Sequence, residues 1–185
     1  MKNGSRKGAV LKNRSSSFVT LFFWVLLGAG LTGVLACSAS EGGSSLENAQ
    51  RSPEALAEAA LLALAASDPE GLDALRVTRD EYEVFLWPSL PDKAYVPFDF
   101  VWSLTGPRSR KARREIVSEY GGLPLELVKV QLGEKVEVYD DFTLFQEARM
   151  TVRNTQTGVE GLIPLMDVIV EMGGQWKFLN FGEDL

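Results

Sequence analysis

The chain predicts an α+β fold in which N-terminal helices pack on a curved antiparallel β-sheet. Three observations predict it. Helix-start signals crowd residues 52–81. The apolar period changes to two after Gly122, and the last strands meet at a Gly173-Gly174 turn.

Ser52-Pro53-Glu54 supplies an N-cap oxygen, a proline suited to the first helical position and an acid near the positive end of a helix. Ala55 to Ala66 is rich in Ala and Leu, strong helix formers. Asp68-Pro69-Glu70 repeats the start and opens a short helix ending near Leu75. Thr78-Arg79-Asp80-Glu81 has the form of a capping box, with Val77 and Tyr82 placed as its hydrophobic staple. That third helix is expected to stop at Trp87-Pro88. Pro88, Pro91 and Pro97 mark an irregular stretch. Gly106-Pro107 is expected to break the apolar cluster Phe98, Phe100, Val101, Trp102 and Leu104 from a helix over Arg108 to Tyr120. In that helix Ala112, Ile116 and Tyr120 share a face.

After Gly121-Gly122 the pattern is that of strands. Leu125 to Leu132 is the first. From Phe142 to Arg153, one face carries Phe142, Leu144, Gln146, Ala148, Met150 and Val152, with Phe145 breaking the alternation. Gly161 to Met172 is the third, with Pro164 implying an edge or bulge. Gln175 to Phe181 closes the sheet through the Gly-Gly hairpin.

The N-terminus reads differently. Residues 1–17 carry Lys2, Arg6, Lys7, Lys12 and Arg14 and no acid, and an apolar run from Phe18 leads into small residues up to Ala36. This is the pattern of a secretory signal peptide. Val34-Leu35-Ala36-Cys37 resembles the lipobox of bacterial lipoproteins, with Cys37 the only cysteine of the chain. The resemblance implies diacylglyceryl attachment to the Cys37 sulfur and cleavage before it. The expected place is the bacterial envelope, on the outer membrane of a two-membrane cell, since Ser38 rather than aspartate follows. An uncleaved helical anchor over residues 18–36 is the alternative. The organisation expected is a signal peptide over 1–36, a flexible tether over 37–51 and an α+β domain over 52–185.

Residues 1–36 hold five of the chain's 19 basic residues and none of its 25 acids. The remaining 149 residues therefore carry 14 against 25, a formal charge of −11. Such a surface disfavours nucleic acid as a partner. With Cys37 acylated, no thiol is left for disulfides, metal binding or catalysis. The chain has no His, the commonest general base and zinc ligand. No metal or cofactor is expected. Glu134, Glu137 and Asp140-Asp141 lack the pattern of a calcium loop and read as a solvated turn.

The order of elements, closing in Gly173-Gly-Gln-Trp-Lys-Phe-Leu179, resembles the NTF2-like (SnoaL-like, cystatin-like cone) superfamily over roughly residues 52–185. The resemblance implies a curved sheet wrapped on helices around an apolar pocket, and a homodimer by analogy. It transfers no activity by itself. Two features depart from it: residues 91–122 are longer than the usual connection, and an Asp–His pair cannot be assembled.

Two clusters are candidate sites. Tyr82, Phe85, Trp87 and Trp102, with Phe98 and Phe100, line a pocket mouth or belong to the core. Arg108, Arg110, Lys111, Arg113 and Arg114 reverse the local charge. They form either a patch for anionic lipid or an acidic partner, or a wet helix face paired with Glu115 and Glu119. The leading expectation is a non-catalytic, membrane-anchored lipoprotein whose domain binds an envelope protein partner or a small apolar ligand. The alternative is an enzyme with a buried acid, Asp99, Glu147 or Asp167, as base and a tyrosine as donor.

Overall fold

The computed structural model describes residues 45–181. The span expected as a signal peptide, Cys37 and the first part of the expected tether lie outside the described residues. Helix α1 spans Pro53–Ala65 and α2 spans Pro69–Ala74. Their caps form as the sequence predicts: Ser52 Oγ accepts from Ala55 N, and Asp68 Oδ1 from Gly71 N. Leu56, Ala57, Ala60, Leu61 and Leu64 make one buried face of α1. Helix α3, Arg79–Glu81, starts in the capping box of Thr78 and Glu81 and widens at once into a π-helical turn, Tyr82–Leu86. Short 3-10 turns follow at Trp87–Ser89 and Pro91–Ala94.

The break expected at Gly106-Pro107 does not occur. Helix α4 runs unbroken from Phe98 to Tyr120 with Pro107 inside it. Pro107 has no N–H to give Ser103 O, and an interior proline costs about 3 kcal/mol. Packing offsets this on both sides of the proline. Trp102 sits among Tyr82 and Phe98, while Gly106, Ser109 and Ile116 are buried.

Seven strands follow: β1 Leu125–Gln131, β2 Val136–Val138, β3 Thr143–Gln146, β4 Arg149–Asn154, β5 Glu160–Ile163, β6 Val168–Met172 and β7 Gln175–Asn180. They form two antiparallel sheets, β1-β4-β5 and β2-β3-β6-β7. The single strand expected from Phe142 to Arg153 is thus divided. At Glu147 the backbone turns left-handed (φ 59°), and Ala148 N bonds Asp167 O across the corner. The corner also reverses which residues face which core. Phe145 in β3 packs against the core that also holds Met150 and Val152 of β4, whereas Leu144 belongs to the other cluster. One inserted residue shifts the two-residue period by one, which accounts for the irregularity at Phe145.

Sheet β2-β3-β6-β7 is covered on both faces. Ile169 and Phe178 belong to the core beneath α1, α2 and α4. Their neighbours Val170 and Leu179 face away and pack with Leu46, Val77 and Leu86. The second cover is therefore the π-turn and the segment before α1. Gln50 pairs with Trp176 through two backbone hydrogen bonds of 2.8 and 2.9 Å, and Leu75 and Val77 bond Phe178 from the same edge. These two short segments close the outer edge of β7. Leu46 is 3% exposed, so the folded body begins ahead of Ser52, inside the span expected as tether.

Candidate functional site

The π-turn sets the site. Trp87 N donates to Tyr82 O, an i+5 bond that brings Trp87 back over Tyr82 with ring centroids 6.4 Å apart. The proline-rich stretch then returns the chain so that Phe98 and Trp102, one turn apart on α4, lie 6.0 and 5.9 Å from the Tyr82 ring. Phe98 also contacts Trp87 at 5.9 Å and Trp102 at 6.2 Å. All four rings are only half-buried. Two arginines flank them: Arg76 over Trp102 at 5.5 Å and Arg79 over Phe98 at 4.9 Å. Arg79 is held by Asp99 at 2.6 Å and Glu83 at 3.0 Å, and Arg76 by Asp73 at 3.3 Å. The result is an open aromatic platform with fixed cations at its margin.

Of the pocket residues expected from sequence, Tyr82, Trp87 and Trp102 come together here and Phe98 completes the set. Phe85 does not join them. It packs against the second core and lines an open groove of about 530 Å³ with Ser45, Glu47, Asp80 and Val84.

Beneath that groove lies a buried ion pair. Lys177 is fully buried and Glu81 is 7% exposed. Lys177 Nζ donates to Glu81 Oε2 at 2.9 Å, to Glu81 Oε1 at 3.1 Å and to Glu47 O at 2.6 Å. Glu81 accepts two backbone N–H bonds as well, from Thr78 at 2.7 Å and Glu47 at 2.6 Å. Burial pushes the Glu81 carboxyl up, but these hydrogen bonds and the Lys177 charge outweigh it, and the net shift is downward. A sequence reading finds Glu81 as a capping residue and Lys177 within the last strand. Their separation of 96 positions leaves no local signal for the pair.

Not all of the basic run faces solvent. Arg113 turns inward, 3.2 Å from Asp73, and joins α4 to α2. Lys111 lies 3.6 Å from Glu115. Arg108, Arg110 and Arg114 are exposed.

The acids considered for catalysis are dispersed. Asp99 is exposed and bound to Arg79. Glu147 and Asp167 meet at the strand corners, lining a groove of about 330 Å³ without a tyrosine. Tyr139 OH donates to Glu137 Oε2 at 2.7 Å, and Gln146 Nε2 also donates to Glu137. Burial first, then this bond to Glu137, pushes the Tyr139 phenol up to about 12. Among the described residues no group of acids is arranged to hold a metal ion, and no helix is long and apolar enough to cross a membrane. No known family, curated protein or solved structure matches this chain.

Proposed function

We propose that the protein is an envelope lipoprotein, anchored through Cys37, whose α+β domain is a non-catalytic NTF2-like cone that binds a protein partner. The observation that carries the binding reading is the platform of Tyr82, Trp87, Phe98 and Trp102 between Arg76 and Arg79. Tyr, Trp and Arg dominate the energetics of protein interfaces, because each buries a large rigid surface and keeps a polar handle. The platform is open, which suits a protein surface better than an enclosed small molecule. Helices followed by antiparallel strands, closing in Gly174, Trp176, Lys177 and Phe178, support the cone. The lipobox-like residues at 34–37 support the anchor.

The test is crosslinking of the lipidated protein in its membranes before solubilisation, with a photoreactive residue in place of Phe98 of the platform. A defined adduct lost in Trp87→Ala and Trp102→Ala variants is the expected result. An adduct that both variants retain, or none at all, overturns the platform as the binding surface. A mass for the purified chain that keeps residues 1–36 and a bare Cys37 thiol overturns the anchor.

A further inference from the structure

We infer that the outer face of α4 rests on an anionic bilayer surface, an inference that builds on the proposed Cys37 anchor. Phe100, Leu104, Pro107, Lys111 and Arg114 follow the i, i+4, i+7, i+11, i+14 spacing that places residues on one side of a helix. That side faces solvent. Phe100 is 57% exposed and Leu104 47%, and Tyr95, just before the helix, is 86% exposed. Large apolar side chains scattered singly on a surface need no explanation. Here Phe100 and Leu104 share a stripe with cations, which is the composition of helices that lie in the headgroup region.

Charge complementarity selects the occupant. From Arg108 to Arg114 there is no acid; Arg113 is turned inward, and Arg110, Lys111 and Arg114 are exposed and carry charge outward. The acids of α4 itself are Glu115, paired with Lys111, Glu119 on the last turn, and Asp99, engaged by Arg79. The rest of the domain is acidic, but at physiological salt its repulsion is screened beyond about 8 Å, so the local patch decides the contact. The reach is also short. The domain is pinned from Leu46 onward, so the chain from Cys37 can extend at most about 30 Å, at ~3.3–3.6 Å per residue. A domain held that close meets the headgroups repeatedly, and a face with exposed aromatic and basic side chains is the one they retain.

The experiment uses the lipidated chain with Ser103→Cys, an exposed position beside the stripe, labelled with a polarity-sensitive dye and reconstituted into phosphatidylcholine vesicles with or without phosphatidylglycerol. The expected result is a blue-shifted, several-fold brighter emission only with phosphatidylglycerol. The shift is reduced by raised salt and abolished by Arg110→Glu, Lys111→Glu and Arg114→Glu together, and by Phe100→Ser with Leu104→Ser. Emission that is the same in both vesicle types overturns the inference. A shift seen only in native membranes, and not in protein-free lipid, also overturns it and assigns the face to a protein. Two dyes per chain would show that Cys37 carries no lipid. That result defeats the anchor alone, and dye emission in a Cys37→Ser chain still decides whether the face meets lipid.

Discussion

Lys177 Nζ sits 2.9 Å from Glu81 Oε2 inside the protein, and the pair joins three parts of the chain that are remote in sequence. Through Glu81 it holds the capping box that starts α3. Through Glu47 it holds the segment that leads towards Cys37. Through Lys177 it holds β7. All three ammonium hydrogens have acceptors, and both carboxylate oxygens accept two bonds. Satisfaction on that scale is what makes a buried charge pair tolerable, because desolvation otherwise outweighs the Coulomb gain.

Removing one partner is therefore expected to cost more than removing both. Lys177→Met leaves Glu81 buried without its counter-ion, at a cost of about 3–5 kcal/mol. Lys177→Met with Glu81→Gln removes both charges and is expected to recover part of that loss. Urea unfolding of the wild type, both single variants and the double variant checks this as a thermodynamic cycle. Strictly additive losses would mean that the two side chains do not sense each other.

The same pair gives the protein an acid limit. The folded state holds the Glu81 carboxyl below its ordinary value of 4.5. A depressed carboxyl contributes stability that is complete above the unfolded value and disappears as pH falls through the folded one. Stability is thus expected to drop below about pH 4.5, and the slope there is expected to be shallower in Glu81→Gln. Unfolding free energy measured against pH in both proteins decides it; identical slopes would assign the acid loss to other groups.

Much of this frame is legible in the sequence, and the parts that are not share a cause. The caps at Ser52, Asp68 and Thr78 are local hydrogen bonds between residues three apart, so the sequence pattern that announces them is also the structure. Gly173 and Gly174 are legible for the same reason, since a two-residue turn with both φ positive calls for glycine. Pro107 misleads, because a local penalty is offset by packing of the helix on remote residues, such as Phe98 and Trp102 on Tyr82, that no window contains. The corner at Glu147 is hidden because alternation continues through it while the faces exchange. Within the platform, Tyr82, Trp87 and Trp102 stand out as exposed-prone aromatics in a Pro-rich stretch. Nothing local separates Phe98 from Phe85, which part company only when α4 folds back.

Leu46 tests where the folded body starts. Its side chain is buried among Val77, Leu86 and Phe142, and its N–H donates to Gln175 Oε1 at 2.7 Å. Leu46→Ala is expected to cost about 2–4 kcal/mol, as for a core leucine and unlike a residue of a solvated linker. Thermal or urea unfolding reads it directly. A change within about 0.5 kcal/mol, the usual range for surface substitutions, would return this segment to the tether.

Gly133 tests how the chain passes from β1 in one sheet to β2 in the other. A Cβ at this position would collide with Gln146 O and lie 2.9 Å from Gln146 C and 3.0 Å from Glu147 C, all of them backbone atoms at the facing corner. That corner has little freedom to retreat. Gln146 N is bonded to Lys135 O at 3.0 Å on one side, and Ala148 N to Asp167 O at 3.1 Å on the other. A flexible side chain could move aside from an added methyl, but this backbone must shift as a unit, and both sheets meet there. Gly133→Ala is therefore expected to destabilise by about 1–3 kcal/mol, the cost of overpacking a site that cannot relax. Gly161→Ala in β5 is the control. Nothing lies within 4 Å of its added Cβ, and replacing a strand glycine there is expected to be neutral or to stabilise by up to about 1 kcal/mol. Urea midpoints of the two variants separate the effects. Equal midpoints would mean that the link between β1 and β2 does not press on the Gln146–Glu147 backbone at Gly133.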